Sequence, residues 1–239
     1  MQHISMVPVL AVGLLVFWLY ISIRFALQEE THDSGVILVS VWLSLLMIWG
    51  VCSKILAETG IYASDYFISL LPMLWIPLIP VIITGTMLLL RPFRIAIIEI
   101  IDHYQTALIW VQALRILAAG SLIKAYLGIF PVSFAIAVAI PDMLFGLSVI
   151  FVARKSMREL LNSRCLFRWN ILGLLAILPA APLVGQMGLP GVMYYFTSIP
   201  DARALFDYPM VLAPTLVVPF FLIMNGFFLL HTKMKENYE

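Results

Sequence analysis

The chain has 239 residues, of which 63% are hydrophobic and 11% charged, with a mean hydropathy of +1.04. A soluble domain carries about 45–50% apolar and about 25% charged residues, so a soluble fold is excluded and an integral membrane protein is expected. A net charge of +1 gives no footing for nucleic-acid binding, and apolar runs that are continuous rather than alternating exclude a transmembrane barrel.

In chain order, spans of about 20 apolar residues are read at 7–27, 35–56, 68–90, 106–130, 132–153, 166–188 and 209–231. The pattern predicts an all-α, seven-helix bundle, one membrane domain over residues 1–239 with no room for a separate soluble unit. Nothing basic precedes the first span and no small-x-small site follows it before Arg24, so a retained helix is expected there rather than a cleaved signal peptide. Prolines punctuate the third span (Pro72, Pro77, Pro80) and the seventh (Pro209, Pro214, Pro219). Both contain Pro-x-x-x-x-Pro, in "PMLWIP" and "PTLVVP", read either as the trace of an internal repeat or as packing kinks.

Residues 92–103, "PFRIAIIEIIDH", suit a half-buried helix along the inner interface. Residues 154–168, "RKSMRELLNSRCLFR", read as a second interfacial element, with Met157, Leu160 and Leu161 at helical spacing, or as a solvated loop. The connection at 189–208 carries Tyr194, Tyr195 and Phe196, which fit the membrane–water boundary or a lid.

Of the 14 Lys and Arg residues, ten fall on one side of these spans: Arg24, Arg91, Arg94, Arg154, Lys155, Arg158, Arg164, Arg168, Lys233 and Lys235. Lys54 and Arg203 flank the other side, while Arg115 and Lys124 lie within the fourth span. Positive charge collects in the cytoplasm, so the N-terminus is expected outside and the C-terminus inside a bacterial cytoplasmic membrane. The basic side would meet anionic lipids at the inner face. Cys52 and Cys165 then lie at opposite ends, too far apart for a disulfide, and read as packing residues.

One carboxylate, Asp142, stands inside the apolar run "AIAVAIPDMLFGLSV". At 1.5 Å per residue, Arg115 lies about 14 Å and Asp142 about 17 Å above the inner face, on spans joined by a tight turn. An isolated charge at that depth costs about 2.5–3.5 kcal/mol on insertion scales, so the two should pair. Gln112, Asn170 and Asn225 occupy the same half, and the five residues are expected to form a polar pocket open to the cytoplasm. Lys124, about 27 Å up its span, can snorkel to the outer surface.

The histidines lie at span ends or in loops, so a bundled haem with intramembrane ligands is not expected. No mid-span lysine in the seventh helix could carry retinal, and no nucleophile elbow, zinc-protease pattern, P-loop or dinucleotide fingerprint is present. A loose set of Glu29, Glu30, His32, Asp33, Asp102, His103 and His231 could face one side and suit zinc or manganese. It lacks local ligand spacing, and no cofactor is expected.

The stretches "LRILAAGSLIKAYLGIFPVSFAIAVAIPDMLFGL", "RWNILGLL" and "YPMVLAPTLVVPFFLIMNGFFLL" resemble a group of small uncharacterised bacterial membrane proteins. The resemblance rests on Arg115, Pro131, Phe134, Asp142, Gly146, Asn170, Gly173, Pro214 and Pro219 and covers residues 104–231. It implies a multi-helix membrane protein and no particular activity. It also implies a histidine at the position where this chain has Asn225. Two functions remain in view: binding or transport of a small polar or ionic solute at Arg115 and Asp142, and a non-catalytic subunit of a larger membrane complex. An intramembrane enzyme is the weaker expectation.

Overall fold

Among residues 5–29, 34–197 and 199–236, which a computed structural model of the chain describes, every regular element is helical. In order these are α1 (Val7–Glu29), α2 (Ser34–Glu58), α3 (Asp65–Ser69), α4 (Pro72–Trp75), α5 (Leu78–Leu88) and α6 (Arg91–Val111). A 3-10 segment (Gln112–Ala118) runs into α7 (Ala119–Tyr126). Then come α8 (Val132–Phe134), a π segment (Ala135–Ala139), α9 (Ile140–Met157), α10 (Ser163–Leu175) and α11 (Ala180–Met187). A short 3-10 turn (Ala202–Leu205) and a second π segment (Ala213–Val217) lead into α12 (Val218–Glu236).

Six helical runs are long and apolar enough to cross a membrane: Val7–Gln28, Ser34–Glu58, Arg91–Tyr126, Val132–Met157, Ser163–Met187 and Ala213–Lys235. The third expected span, 68–90, differs. Leu71 adopts φ 55, ψ 53 before Pro72, and what continues is the shorter apolar run Pro72–Leu88. The cause is local, because proline lacks an N–H and disfavours the α conformation in the residue before it. Freed backbone groups inside a bilayer must find protein partners. Here the Met73 N–H donates to Gln186 Oε1 (3.2 Å), and Trp75 Nε1 donates to Leu70 O (2.9 Å).

The run Arg91–Tyr126 has 36 residues, far more than the roughly 20 that a bilayer needs. It bends at Tyr104 (φ −115, ψ 22), where the sequence separates the interfacial stretch 92–103 from the fourth span. In the stretch 154–168, read as an interfacial element or a loop, the break between helices is short: α9 ends at Met157, Glu159 takes φ 56, and the Asn162 side chain caps α10 by accepting from Cys165 N (2.7 Å). Cys52 and Cys165 are both free thiols.

The two Pro-x-x-x-x-Pro stretches also fold differently. "PMLWIP" forms the one-turn α4, whereas "PTLVVP" opens into the π segment. In the latter, Pro219 cannot donate to the carbonyl four residues back, and Trp49 Nε1 donates to that Thr215 carbonyl instead (2.8 Å).

The core is organised around the run Ala213–Lys235, 72% of whose apolar window is buried against 22–44% for the other five. Phe220 and Phe227 of α12 interlock with Trp18, Trp42 and Phe93, all essentially inaccessible. A smaller cluster of Tyr62, Phe67, Phe130 and Phe206 covers the end of the bundle that carries Ser5 and Met210.

Candidate functional site

Arg115 sits in the 3-10 segment and Asp142 just beyond the first π segment. Departures of this kind from the α-helix re-aim side chains and recur at functional positions. Gly146, one turn after Asp142, lets α9 approach: a Cβ there would lie 2.8 Å from Ile116 N and 3.2 Å from the Arg115 carbonyl carbon. The backbones are therefore as close as glycine permits, and Arg115 Nε donates to Asp142 Oδ1.

Arg115 is 1% exposed. Its Nη2 donates to the Gly173 carbonyl (3.0 Å), and its Cζ stands 4.1 Å from the centre of the Phe145 ring and 5.9 Å from that of Phe221. A charge-assisted bond, a carbonyl and a cation–π face offset much of the desolvation that burial costs. Gly173 is itself needed for this packing, because a Cβ there would fall 2.6 Å from Phe145 Cζ and 2.8 Å from Asn225 Oδ1.

Gln112, Asn170 and Asn225, all fully buried, lie behind the ion pair. Gln112 Nε2 donates to Asn225 Oδ1 (3.2 Å), and Asn170 Nδ2 donates to Leu166 O (2.9 Å). Among the described residues, Gln112 Oε1, Asn170 Oδ1, Asn225 Nδ2 and Arg115 Nη1 have no hydrogen-bond partner. That is two donors and two acceptors at the centre of the bundle.

A cavity of about 920 Å³ reaches the pair, with Arg115 and Asp142 in its wall. Of the five residues expected to form a polar pocket, Arg115 and Asp142 line this cavity. The cavity runs toward the end of the bundle marked by Ser5, Lys124, Phe130 and Met210, away from the loop at Arg158. Gln112, Asn170 and Asn225 do not line it. Residues from 74–88, 114–130 and the Ala213–Phe227 stretch line it, and nearly all the side chains are apolar. Leu78 (46% exposed), Leu117 (43%) and Ile123 (61%) also line it, so it opens sideways between the helices. Gly85 and Gly226 line it too, and a Cβ at either would meet nothing within 4 Å.

Lys124 stands in the last turn of α7. It is partly buried in the cavity wall, and its Nζ meets the Met210 thioether at 2.9 Å, its one polar contact among the described residues.

Of the loose metal set, Asp102, His103 and His231 are the members whose side chains are described. His231 Nε2 pairs with Asp102 Oδ1 (2.8 Å), and Lys235 Nζ donates to the same oxygen (2.7 Å), joining α6 to α12. His103 packs edge-on against Phe25. Among the described residues no three His, Cys, Asp or Glu converge. Glu30, His32 and Asp33 lie outside the described residues, as does His3.

A family described as a domain of unknown function (DUF8737) matches residues 96–231. The chain belongs to that family. The match contains Arg115, Asp142, Gly146, Asn170 and Gly173, so the ion pair and both glycine contacts fall within the family domain. No curated protein and no solved structure matches the chain.

Sequence reasoning missed three contributors. Gly85 and Gly226 keep the cavity open, and their only signal was glycine within an apolar run. Gln186, buried like the other amides but at the opposite end of its helical run from Asn170, serves the break at Met73.

Proposed function

We propose that the chain binds or transports a solute with a small polar or ionic group, in the cavity beside Arg115 and Asp142. The observation that carries this reading is the volume of about 920 Å³ reaching the Asp142 carboxylate, at the upper end of the roughly 300–1,000 Å³ of ligand pockets. An enzyme fits less well, since among the described residues the only carboxylate in the cavity wall is already tied to Arg115 and no nucleophile stands beside it.

We further infer seven crossings in a bacterial cytoplasmic membrane, N-terminus outside. The broken run from α3 to α5 would supply the crossing that the six long helices lack. The ten-to-two distribution of basic residues supports the orientation. On a background lacking Cys52 and Cys165, Val192→Cys should react with an impermeant thiol reagent applied outside, and Leu160→Cys should not. The reverse pattern overturns the orientation.

The binding reading is tested by native mass spectrometry of the full chain released from its own membrane. Wild type should retain a non-protein mass that Gly226→Phe and Gly85→Phe, with unfolding temperatures near wild type, do not. A bare wild type, or identical adducts in all three, overturns it.

A second reading, a non-catalytic subunit of a membrane complex, draws on a shallow recess of α2 lined by Val36, Ile37, Ser40, Val41, Ser44 and Leu45. Small residues one turn apart permit close approach of a further transmembrane helix. Co-purification of a stoichiometric partner, lost on Ser44→Leu, would favour it.

A further inference from the structure

We propose that the cavity takes an anionic membrane lipid, with its head group at Lys124 and an acyl chain laid between α5 and residues 114–124. The proposal rests on the binding reading above and names the ligand class.

The cavity presents two cationic groups, and they are not equivalent. Arg115 is fully buried, neutralised by Asp142 and covered by Phe145. Lys124 has no carboxylate against it among the described residues, only the Met210 sulfur, a weak acceptor. A partly buried ammonium held by a thioether lacks its counter-charge, so an anion belongs at Lys124.

The position suits a head group. Lys124 is two residues from the end of α7 at Tyr126, the level at which basic side chains meet lipid phosphates. Ser5 and Ser121 also line the cavity near the same end; their hydroxyls donate to Met210 Sδ and to Ala118 O and keep lone pairs only, so the charge at Lys124 is what recognises the head group.

Below Lys124, nine residues of 3-10 and α-helix separate it from Arg115, a drop of roughly 14–16 Å. Over that distance the walls are Leu74, Leu78, Val81, Leu117 and Leu222, with Thr84 already bonded to Trp42 and to Pro80 O. A small hydrophilic ion would be desolvated along this path without replacement partners. An acyl chain needs none. The sideways opening past Leu78, Leu117 and Ile123 gives such a chain direct entry from the bilayer.

The test uses the full chain in nanodiscs containing phosphatidylglycerol and phosphatidylcholine in equal amounts, released into a mass spectrometer with retained lipid counted. Wild type should retain phosphatidylglycerol over phosphatidylcholine by about five-fold, as expected for one lysine near a phosphate. Lys124→Arg should keep that preference, Lys124→Gln should reduce it to parity, and Gly226→Phe should retain neither lipid. Parity in wild type, or a preference that survives Lys124→Gln, overturns the proposal. If wild type instead holds a lighter polar species that Gly226→Phe loses, the lipid assignment fails and the binding reading stands. If wild type and Gly226→Phe are alike and bare, both fail.

Discussion

The two faces of α12 meet opposite demands. On one, Phe220 and Phe227 lock against Trp18, Trp42 and Phe93, with ring centroids 5.5–6.5 Å apart. On the other, Gly226 borders an open volume and Asn225 joins a set of buried amides with unmade hydrogen bonds. Interlocked rings supply dispersion that lipid contact cannot replace, so stability is concentrated on the packed face. The open face keeps a cavity and an ion pair that a structure built only for stability would fill.

Trp42→Ala should do the greatest damage. It removes a fully buried ring from contact with four aromatic partners and the donor to Thr84 Oγ1. The expected loss is about 3–5 kcal/mol, read by denaturant unfolding in detergent. A loss as small as that of a lipid-facing leucine would remove the contrast between the faces.

Either partner of the ion pair comes next. Asp142→Asn or Arg115→Gln leaves a buried charge uncompensated, a loss of about 3–5 kcal/mol at most. The double change should recover part of it, with a coupling of about 0.5–3 kcal/mol in a double-mutant cycle. Simple additivity of the two losses would mean that Gly173 O and the Phe145 face, not the carboxylate, hold the guanidinium.

Glycine sharpens the comparison within one substitution type. Gly146→Ala puts a Cβ into Ile116 and Arg115 backbone and should cost about 1–3 kcal/mol. Gly226→Ala enters open space and should gain about 0.4–1 kcal/mol through helix preference and a less flexible unfolded chain. Equal effects at the two positions would deny the cavity.

The smallest effect belongs to Asp207, outside the long spans. Partial burial, then the neighbouring Asp201, pushes its carboxyl above the usual carboxylate range. Its contribution to stability is complete below the unfolded value of about 3.9 and is lost as pH rises through the raised folded value. Asp207→Asn should therefore raise the unfolding temperature slightly at neutral pH and leave it unchanged near about pH 3.5. A rise of equal size at both pH values would deny the shift.

Legibility in the sequence followed the range of the forces involved. Continuous apolar runs announce most spans, and the depth arithmetic on Arg115 and Asp142 anticipates the contact that the helices make. The break at Leu71 is half-visible in the prolines, but which acceptor captures Met73 N–H is a tertiary matter, settled by Gln186 more than a hundred residues away. The direction of the cavity was not legible at all. It depends on which gaps between helices stay unfilled, and hence on Gly85 and Gly226, neither of which leaves a periodic trace. The Asp102–His231–Lys235 cluster likewise joins α6 to α12 across 129 and 133 residues of sequence.

The central claim, that the lateral cleft beside the ion pair is an occupied site, is met most directly by photo-crosslinking in nanodiscs. Phosphatidylglycerol with a diazirine in its acyl chain would be activated and the modified residues mapped. Adducts should concentrate on Leu117, Leu222 and their cleft neighbours, and should fall to background with Gly226→Phe. Adducts confined to outward-facing positions such as Val12 and Val16, or unchanged by Gly226→Phe, would contradict the account.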